Sequence, residues 1–375
     1  MYGKKNYQNN YNNYNNYKGN KNYYPKKSKK NIHLSKFLSL ILRHKAKDFG
    51  LDIDHAGFIK LDDIINLPQS KKYNMNLSLI QEIVSNDEKG RFELVNRPPY
   101  YIRAVQGHSI AEVTNEETMY KLNQKNIFDF PTVVHGTQEK AWKLIEKSGL
   151  NRMNRNAIHF SIGYNDENHV KSGMRLNCEV FIEINSQMAF FNGFEFFLSK
   201  NKVILCPGNE EGYLPLEFVK KVKNKNNLCL YSCQYEIFIK YKFLEEKNNF
   251  EIIKEDEIIF KSNEPNEIAE FIITKELMKE RIIVLVDEKE EDKYIKFIKD
   301  GIENGKIIYP ALFVDYLIDN NKNGDYTSEF LKKVDINWNE FYEKKEYKDE
   351  KNEDKKEDNK ESNKNDWEMD EKEDD

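Results

Sequence analysis

Apolar positions change their spacing several times in the first third of the chain, and each change predicts a new element. Leu34, Phe37, Leu38, Ile41 and Leu42 recur at three- and four-residue intervals, so residues 33–44 are predicted to be an amphipathic helix. Asp54-His55-Ala56-Gly57 predicts a turn and residues 58–61 a short strand. Asp62 or Asp63 then caps a short helix, and a longer helix follows Asn76 over residues 77–87. Residues 91–95 and 100–105 alternate as strands around a loop with Pro98 and Pro99. Helix, short strand, two helices and a hairpin is the order of a winged helix, so residues 31–108 are read as one winged-helix lobe.

The next stretch, 109–225, is richer in strands. Strands are predicted over residues 131–136, 157–161, 179–184 and 202–208, with 194–199 as a further candidate. One helix, residues 138–149, closes at Gly149. This pattern predicts an α+β lobe with a mixed sheet. Residues 226–342 alternate again. Strands are predicted at 235–243, 257–260, 282–286 and 306–310, and helices at 266–278, 292–304 and 311–321. The third part is therefore an additional α/β domain.

Charge changes the picture of the ends. Residues 1–30 carry 8 Lys and no acid, interleaved with 9 Asn and 7 Tyr, whereas residues 343–375 carry 9 Lys against 16 Asp and Glu. Neither tail has the apolar residues that offset the entropy of ordering, so both are predicted to be disordered. The basic tail suits loose contact with RNA through Lys on phosphates and Tyr on bases. Between the tails, residues 31–220 are neutral, with 23 charges of each sign, and residues 221–342 are acidic, with 19 against 25. The net charge of -5 over 375 residues is thus a sum of unlike parts. An acidic third domain disfavours phosphate and favours a protein partner.

Composition also excludes classes. No apolar run approaches the ~20 residues of a membrane span. The first residues are unlike a secretory signal, so a cytoplasmic and/or nuclear location is expected. Cys178, Cys206, Cys229 and Cys233 are too few for a disulfide scaffold and lack metal-site spacing, so no metal is expected. Neither the dinucleotide-binding glycine fingerprint nor a phosphate loop is present.

Several residues could carry chemistry. Arg43 and His44 end the first helix, where they complement its dipole. Arg103 lies in an apolar and aromatic strand, and Arg175 follows Ser172-Gly173-Met174. Separately these are ordinary basic residues; convergent, they would bind a phosphate dianion through forked, charge-assisted hydrogen bonds. His135-Gly136-Thr137 ends a strand, where glycine permits a close approach and the other two offer hydrogen bonds. His159 and Ser161 lie in a second strand, where a structural histidine is equally open.

Taken together, six segments in order resemble one family, the NAD-dependent tRNA 2′-phosphotransferases. They are LSKFLSLILRH, DHAGFIKLDDI, YYIRAVQGHS, VVHGTQEKAWKLIEKSGLNRMNRNAIHFS, SGMRLNCEVFIEI and KVILCPGNEEGYLP, across residues 33–215. The resemblance implies a winged-helix lobe joined to an ADP-ribosyltransferase-like lobe. It implies NAD as co-substrate and 2′-phosphorylated RNA, a tRNA splice product, as partner. In the implied reaction the internal 2′-phosphate attacks the nicotinamide ribose and nicotinamide leaves. Transesterification of the ADP-ribosylated RNA then gives a 2′-hydroxyl and ADP-ribose 1″,2″-cyclic phosphate. Carried over, Arg43, His44, Arg103 and Arg175 match the catalytic set, with His44 as acid/base in the second step. His135, Gly136, Thr137, His159 and Ser161 match the NAD-binding strands.

Three positions depart from the family pattern. Val105 stands where Asn is frequent, Ala157 where a first His is common, and Leu176-Asn177 where Ser-Asp is usual. They affect secondary polar contacts and NAD affinity more than the reaction. The alternatives are ADP-ribose capping of terminal RNA or DNA phosphates, and a non-catalytic RNA-binding scaffold. The third domain loosely resembles the end of a BRCT-type interaction domain, with Phe313 at the position of its usual Trp, and a protein partner is the matching expectation.

Overall fold

A computed structural model describes residues 29–164, 167, 169–175, 177–232, 237–280, 282–314, 316–318 and 336–345. The readings made for residues 1–28 and 346–375, and for Leu176 and Cys233, lie outside the described residues.

The first apolar stripe forms α1 (Lys29–Leu40). The helix then widens into one π turn, Ile41–Lys45, that carries Arg43 and His44. Such insertions aim side chains away from the ordinary helical positions and are frequent at functional sites. A 3₁₀ turn follows and stops at Gly50, whose φ of +67° is left-handed. Next come β1 (Ile59–Lys60), α2 (Leu61–Asn66), α3 (Pro68–Lys72) and α4 (Leu77–Ser85). Asn76 caps α4 by accepting the Leu79 N–H. The strands β2 (Phe92–Val95) and β3 (Tyr101–Ala104) complete an antiparallel sheet ordered β1-β3-β2. Leu34, Leu38, Ile41, Leu42, Ile80 and Ile102 fill its core.

The middle of the chain begins with α5 (Asn115–Thr118) and β4 (Tyr120–Lys121). β5 (Val133–Thr137) leads into α6 (Glu139–Ser148), β6 (Leu150–Asn151) and β7 (Ile158–Ser161). β8 (Val180–Ile184), α7 (Ser186–Phe191), β9 (Phe197–Leu198) and β10 (Val203–Cys206) follow. β11 (Tyr213–Leu214) pairs with β6, and β12 (Val219–Asn224) and β13 (Cys229–Ser232) end the run. Eight strands form one sheet, β13-β12-β8-β5-β7-β10-β9-β4.

Two expectations are corrected here. The sheet is not mixed: each of its pairings is antiparallel, because the helix after β5 delivers the chain to β7 running the opposite way. The sheet also continues past residue 225, since β13 pairs with β12.

The rest of the chain forms β14 (Ile237–Leu244), β15 (Lys247–Lys254), β16 (Glu257–Ser262), α8 (Pro265–Thr274), β17 (Ile282–Val286), α9 (Glu291–Glu303) and β18 (Tyr316–Ile318). A final helix spans Trp338–Lys344. The five-stranded sheet, β16-β15-β14-β17-β18, is the mixed one: β14-β17 and β17-β18 are parallel and the other pairs antiparallel. The strand expected at 306–310 is absent, because its amides bond elsewhere: Lys306 and Ile307 to the Gly301 carbonyl, and Ile308 to the Asn266 side chain. Where a helix is expected at 311–321, the described residues instead form a 3₁₀ turn, Pro310–Leu312, and β18, which β17 recruits as a parallel neighbour. This region is not an independent appendage. One continuous buried cluster runs from Phe128 and Phe130 under the eight-stranded sheet to Tyr309, Phe313 and Tyr342. The Phe128 and Tyr309 rings meet edge-on at 5.1 Å.

Candidate active site

A cleft of about 1130 Å³ opens where the π turn, the loop after β3, the ends of β5 and β7 and the loop before β8 come together. Arg43, His44, His135, Gly136, Thr137, His159 and Arg175 all line it, although they are spread over 133 positions of sequence.

Arg43 is the informative member. Its Nε and Nη2 are buried and have no hydrogen-bond partner among the described residues. Burial, reinforced by Arg155 and Arg91, lowers its pKa to about 10, so it remains a cation at neutral pH. Buried polar groups are nearly always bonded, and an unpartnered guanidinium calls for an anion with several acceptor oxygens. Gly107 lies beside it. Its φ is +87°, and a Cβ there would come within 3.5 Å of both Arg43 Cζ and His159 Nε2. Gly107 therefore sits between the guanidinium and the imidazole, in a backbone conformation glycine adopts without strain.

His44 Nδ1 lies 2.9 Å from Ser109 Oγ. Burial and the nearby Arg155, Arg43 and Lys45 charges lower its pKa, so it is neutral at physiological pH. His135 Nδ1 donates to the His159 carbonyl at 2.9 Å, which leaves its Nε2 as an acceptor. Burial holds His159 neutral, at a pKa of about 3. A neutral ring has one N–H. His159 Nδ1 donates to the Ala157 carbonyl at 3.0 Å, so Gln106, 2.8 Å from Nε2, must turn its amide NH₂ toward the ring. Ala157, at the position of the absent first histidine, is buried with Met119, Phe197, Val203 and Leu205.

Gly136 lines the cleft and has a packing task as well. A Cβ there would strike Met174 at 2.2 Å and Cys178 at 2.6 Å, so the glycine seats the loop that carries Arg175. The Cys178 thiol in turn hydrogen-bonds the backbone of Arg175, and burial raises its pKa.

Two of the expected site residues are not on the cleft wall. Ser161 is fully buried and donates to the Gly163 and Val134 carbonyls at 2.6 and 3.2 Å. Residues two apart share a strand face, but at Ser161 that face is covered by the loop at Gly163 and by Gly173, so it does not meet the cleft. Arg103 is held behind the site. It makes two hydrogen bonds to Glu93, at 2.9 and 2.8 Å, and one to the Ala56 carbonyl at 3.0 Å, and it lies 4.6 Å above the Phe58 ring. Glu93 bonds Lys200 as well, and the two cations hold its carboxyl below the usual range despite burial.

The structure adds residues that the motifs passed over. Lys89, Arg91, Gln106, Arg152 and Arg155 line the cleft. Arg91 is fastened to Asp87 and Ser35. Arg155 sits at the mouth, where its charge depresses the pKa of Arg43, His44, His135 and His159, while its own falls through burial and Arg175. The only sign of it in the sequence was its place four residues before His159. Glu183, the buried carboxylate of β8, is not a cleft residue: it accepts the Tyr164 hydroxyl at 2.5 Å and pairs with Lys220 and Lys221 at 3.2 and 3.3 Å. Among the described residues no group of His, Cys, Asp or Glu could hold a metal, and no helix is long and apolar enough to cross a membrane.

Among the described residues the cleft carries cations without carboxylates, neutral imidazoles and an apolar wall from Ala141, Leu144 and Ile145 of α6, the equipment of a protein that handles phosphate esters. Comparison with known proteins carries this to a family. The chain belongs to the RNA 2′-phosphotransferase, Tpt1/KptA family, whose profile matches residues 29–208. The mouse protein named tRNA 2′-phosphotransferase 1 is 38% identical over 210 residues, 54% of this chain and 81% of that one. The Saccharomyces cerevisiae tRNA 2′-phosphotransferase is 32% identical over 208 residues, 54% of this chain and 87% of that one. A Schizosaccharomyces pombe relative is 40% identical over 196 residues, and there the match spans about half of each protein, 52% of both.

Proposed function

We propose that this chain removes an internal, splice-junction 2′-phosphate from tRNA by transfer to NAD. The observation that carries the reading is the Arg43 guanidinium, two of whose nitrogens are buried with no partner among the described residues, inside a cleft of further cations. Arg43 and Arg175 would hold the phosphate and offset charge that develops on it, and Arg155 would add to the field at the mouth. His44, neutral and tied to Ser109, has the lone pair to take a proton from a hydroxyl and return it to a leaving oxygen.

NAD suits the remaining surface. Its own contribution is a ribose carbon with a good leaving group, on which the phosphate is received. The His135 Nε2 acceptor, Thr137 and the backbone at Gly136 would bind it, with His159 behind them and the α6 wall against an aromatic ring. For Arg103 the geometry supports a positioning role, bracing the Ala56 turn beside His108. In the same reading, residues 31–108 are the winged-helix, RNA-facing lobe and residues 109 to about 232 the ADP-ribosyltransferase-like lobe.

The test is an RNA with one internal 2′-phosphate, incubated with the full chain with and without NAD. NAD-dependent loss of the phosphate is expected, and its absence overturns the reading. A 5′-phosphorylated RNA in the same assay reads out the alternative, since a stable ADP-ribose cap there would identify a terminal-phosphate transferase.

A further inference from the structure

The loop that presents Arg175 has an inner and an outer attachment. Inside, Gly173 (φ +95°) lies so close to β7 that a Cβ would sit 2.9 Å from Ser161 Cα. Outside, His169 donates from Nε2 to the Ile162 carbonyl at 3.0 Å and stands 3.3 Å from Glu167. Burial lowers the His169 pKa, so the ring is a neutral, fixed part of the loop.

What covers this outer side comes from the far end of the chain. Tyr342, on the helix Trp338–Lys344, is 3% exposed and lies 6.2 Å from the His169 ring. It stacks on Phe130 with centroids 5.5 Å apart and planes 13° apart. Lys202, at the start of β10, donates to the Tyr342 carbonyl at 3.3 Å and lies 5.9 Å over its ring. One turn on, Lys345 pairs with the buried Asp129 at 2.9 Å. The helix is thus held at Phe130, Asp129 and Lys202, residues that adjoin β5 and β10, with its central aromatic ring against the loop. It lies well outside residues 29–208, so this contact is an addition to what the family profile covers.

We propose that the helix Trp338–Lys344 is a buttress for the Arg175 loop, with Tyr342 as a positioning residue for the reaction. The Phe130 stack and the two lysine contacts set where the ring stands, and the ring sets where His169 stands. Three residues further on, Ser172 enters the cleft wall, followed by Gly173, Met174 and Arg175. The kinetic part of this inference rests on the 2′-phosphotransferase reading; the structural part does not.

The experiment compares the full chain with Tyr342→Ala and Tyr342→Phe. Hydrogen exchange at residues 167–175 is expected to quicken by about tenfold or more in Tyr342→Ala and to stay near wild type in Tyr342→Phe, which keeps the stack. In the NAD-dependent assay, Tyr342→Ala is expected to lower kcat/KM roughly ten- to a hundredfold, since small misplacements of a positioning group are costly. In an Arg175→Ala background the same change should add little, because both act through one guanidinium. Unchanged exchange at 167–175, or fully additive losses, overturns the proposal. If Tyr342→Ala does not fold, Lys345→Ala removes the Asp129 pair and the cation contact with the Phe341 ring while leaving Tyr342 in place, and should shift exchange at 167–175 in the same direction; no shift overturns the proposal equally. A wild-type chain without NAD-dependent activity sinks the functional reading, and the exchange result then still decides the buttress.

Discussion

His44 Nδ1 stands 2.9 Å from Ser109 Oγ, which joins the π turn after α1 to the Gln-Gly-His-Ser segment 65 residues later. The bond fixes the imidazole face that meets the cleft. Because burial and the Arg155, Arg43 and Lys45 charges lower the pKa, the ring is deprotonated through neutral pH and protonates only below the ordinary 6.5. A group with a depressed pKa loses its basic form as pH falls through that lower value. The kcat/KM profile is therefore expected to be flat near pH 7, with an acid limb below 6.5. Arg155→Gln removes one cause and should move that limb upward. An unmoved limb would assign it to another group. His44→Ala should lose the second step and accumulate ADP-ribosylated RNA, detectable by its mass; wild-type turnover of that species contradicts the role.

Arg43 predicts opposite effects on stability and activity. A buried guanidinium with two unpartnered nitrogens is a cost to the unliganded fold. Replacing it with an apolar side chain of similar length, Arg43→Met, removes that cost and should stabilise the free protein by about 1–3 kcal/mol. The same change should abolish transfer from 2′-phosphorylated RNA. Chemical denaturation without ligand, set beside the activity assay, checks both. A destabilised Arg43→Met would show that the cation has partners in the free protein.

Much of this site was legible because its residues sit at element ends with ordinary chain signals: the first helix stripe, the glycine after β5 and the apolar run of β7. What stayed hidden was three-dimensional. Arg103 and Arg175 read alike along the chain, yet Glu93 opposite Arg103 in the β2-β3 register captures one of them. Arg155 looks like a loop residue until the fold puts it on the cleft wall. The hairpins around β15 were missed because Glu245-Glu246 and Glu255-Asp256 turn with positive φ at both residues and offer no Asn-Gly signature. Apolar content alone could not separate helix from strand at residues 311–321, where β17 decides the matter.

Arg103 should behave as a supporting residue. Its ion pair with Glu93 is mostly shielded from solvent. Arg103→Ala leaves that carboxylate short of a partner and frees the Ala56 turn, and is expected to cost about 3 kcal/mol. Arg103→Lys keeps the charge but cannot reproduce the fork to Glu93 and Ala56, so it should recover only part of the loss. Urea denaturation midpoints decide this. Full stability with complete loss of activity would instead place Arg103 at the reacting phosphate.

Gly136→Ala tests how the Arg175 loop is seated. The added methyl would overlap Met174 and Cys178, the side chains that pack the loop onto β5. Overpacking of this kind typically costs about 1–3 kcal/mol. The strain can be relieved by moving the loop, so kcat/KM should fall further than the stability loss explains. Met174→Ala in the same chain restores space and should recover part of both. If Gly136→Ala is neutral in stability and activity, the glycine is not needed for this packing.

Acid should weaken the fold through two buried histidines. His159 and His108 both have pKa values lowered to about 3, mainly by burial, with nearby arginine charges adding to it. The unfolded chain binds these protons near 6.5 and the folded protein refuses them. Stability is therefore complete above 6.5 and is lost as pH falls toward 3, at up to about 1.4 kcal/mol per unit for each ring. His108 adds a second reason, since its Nε2 is buried beside Gly57 with no partner among the described residues. A His108→Leu variant should accordingly show a shallower decline in Tm between pH 6.5 and 4 than wild type. A parallel decline in the two proteins would mean that carboxylates, not this ring, govern the acid transition.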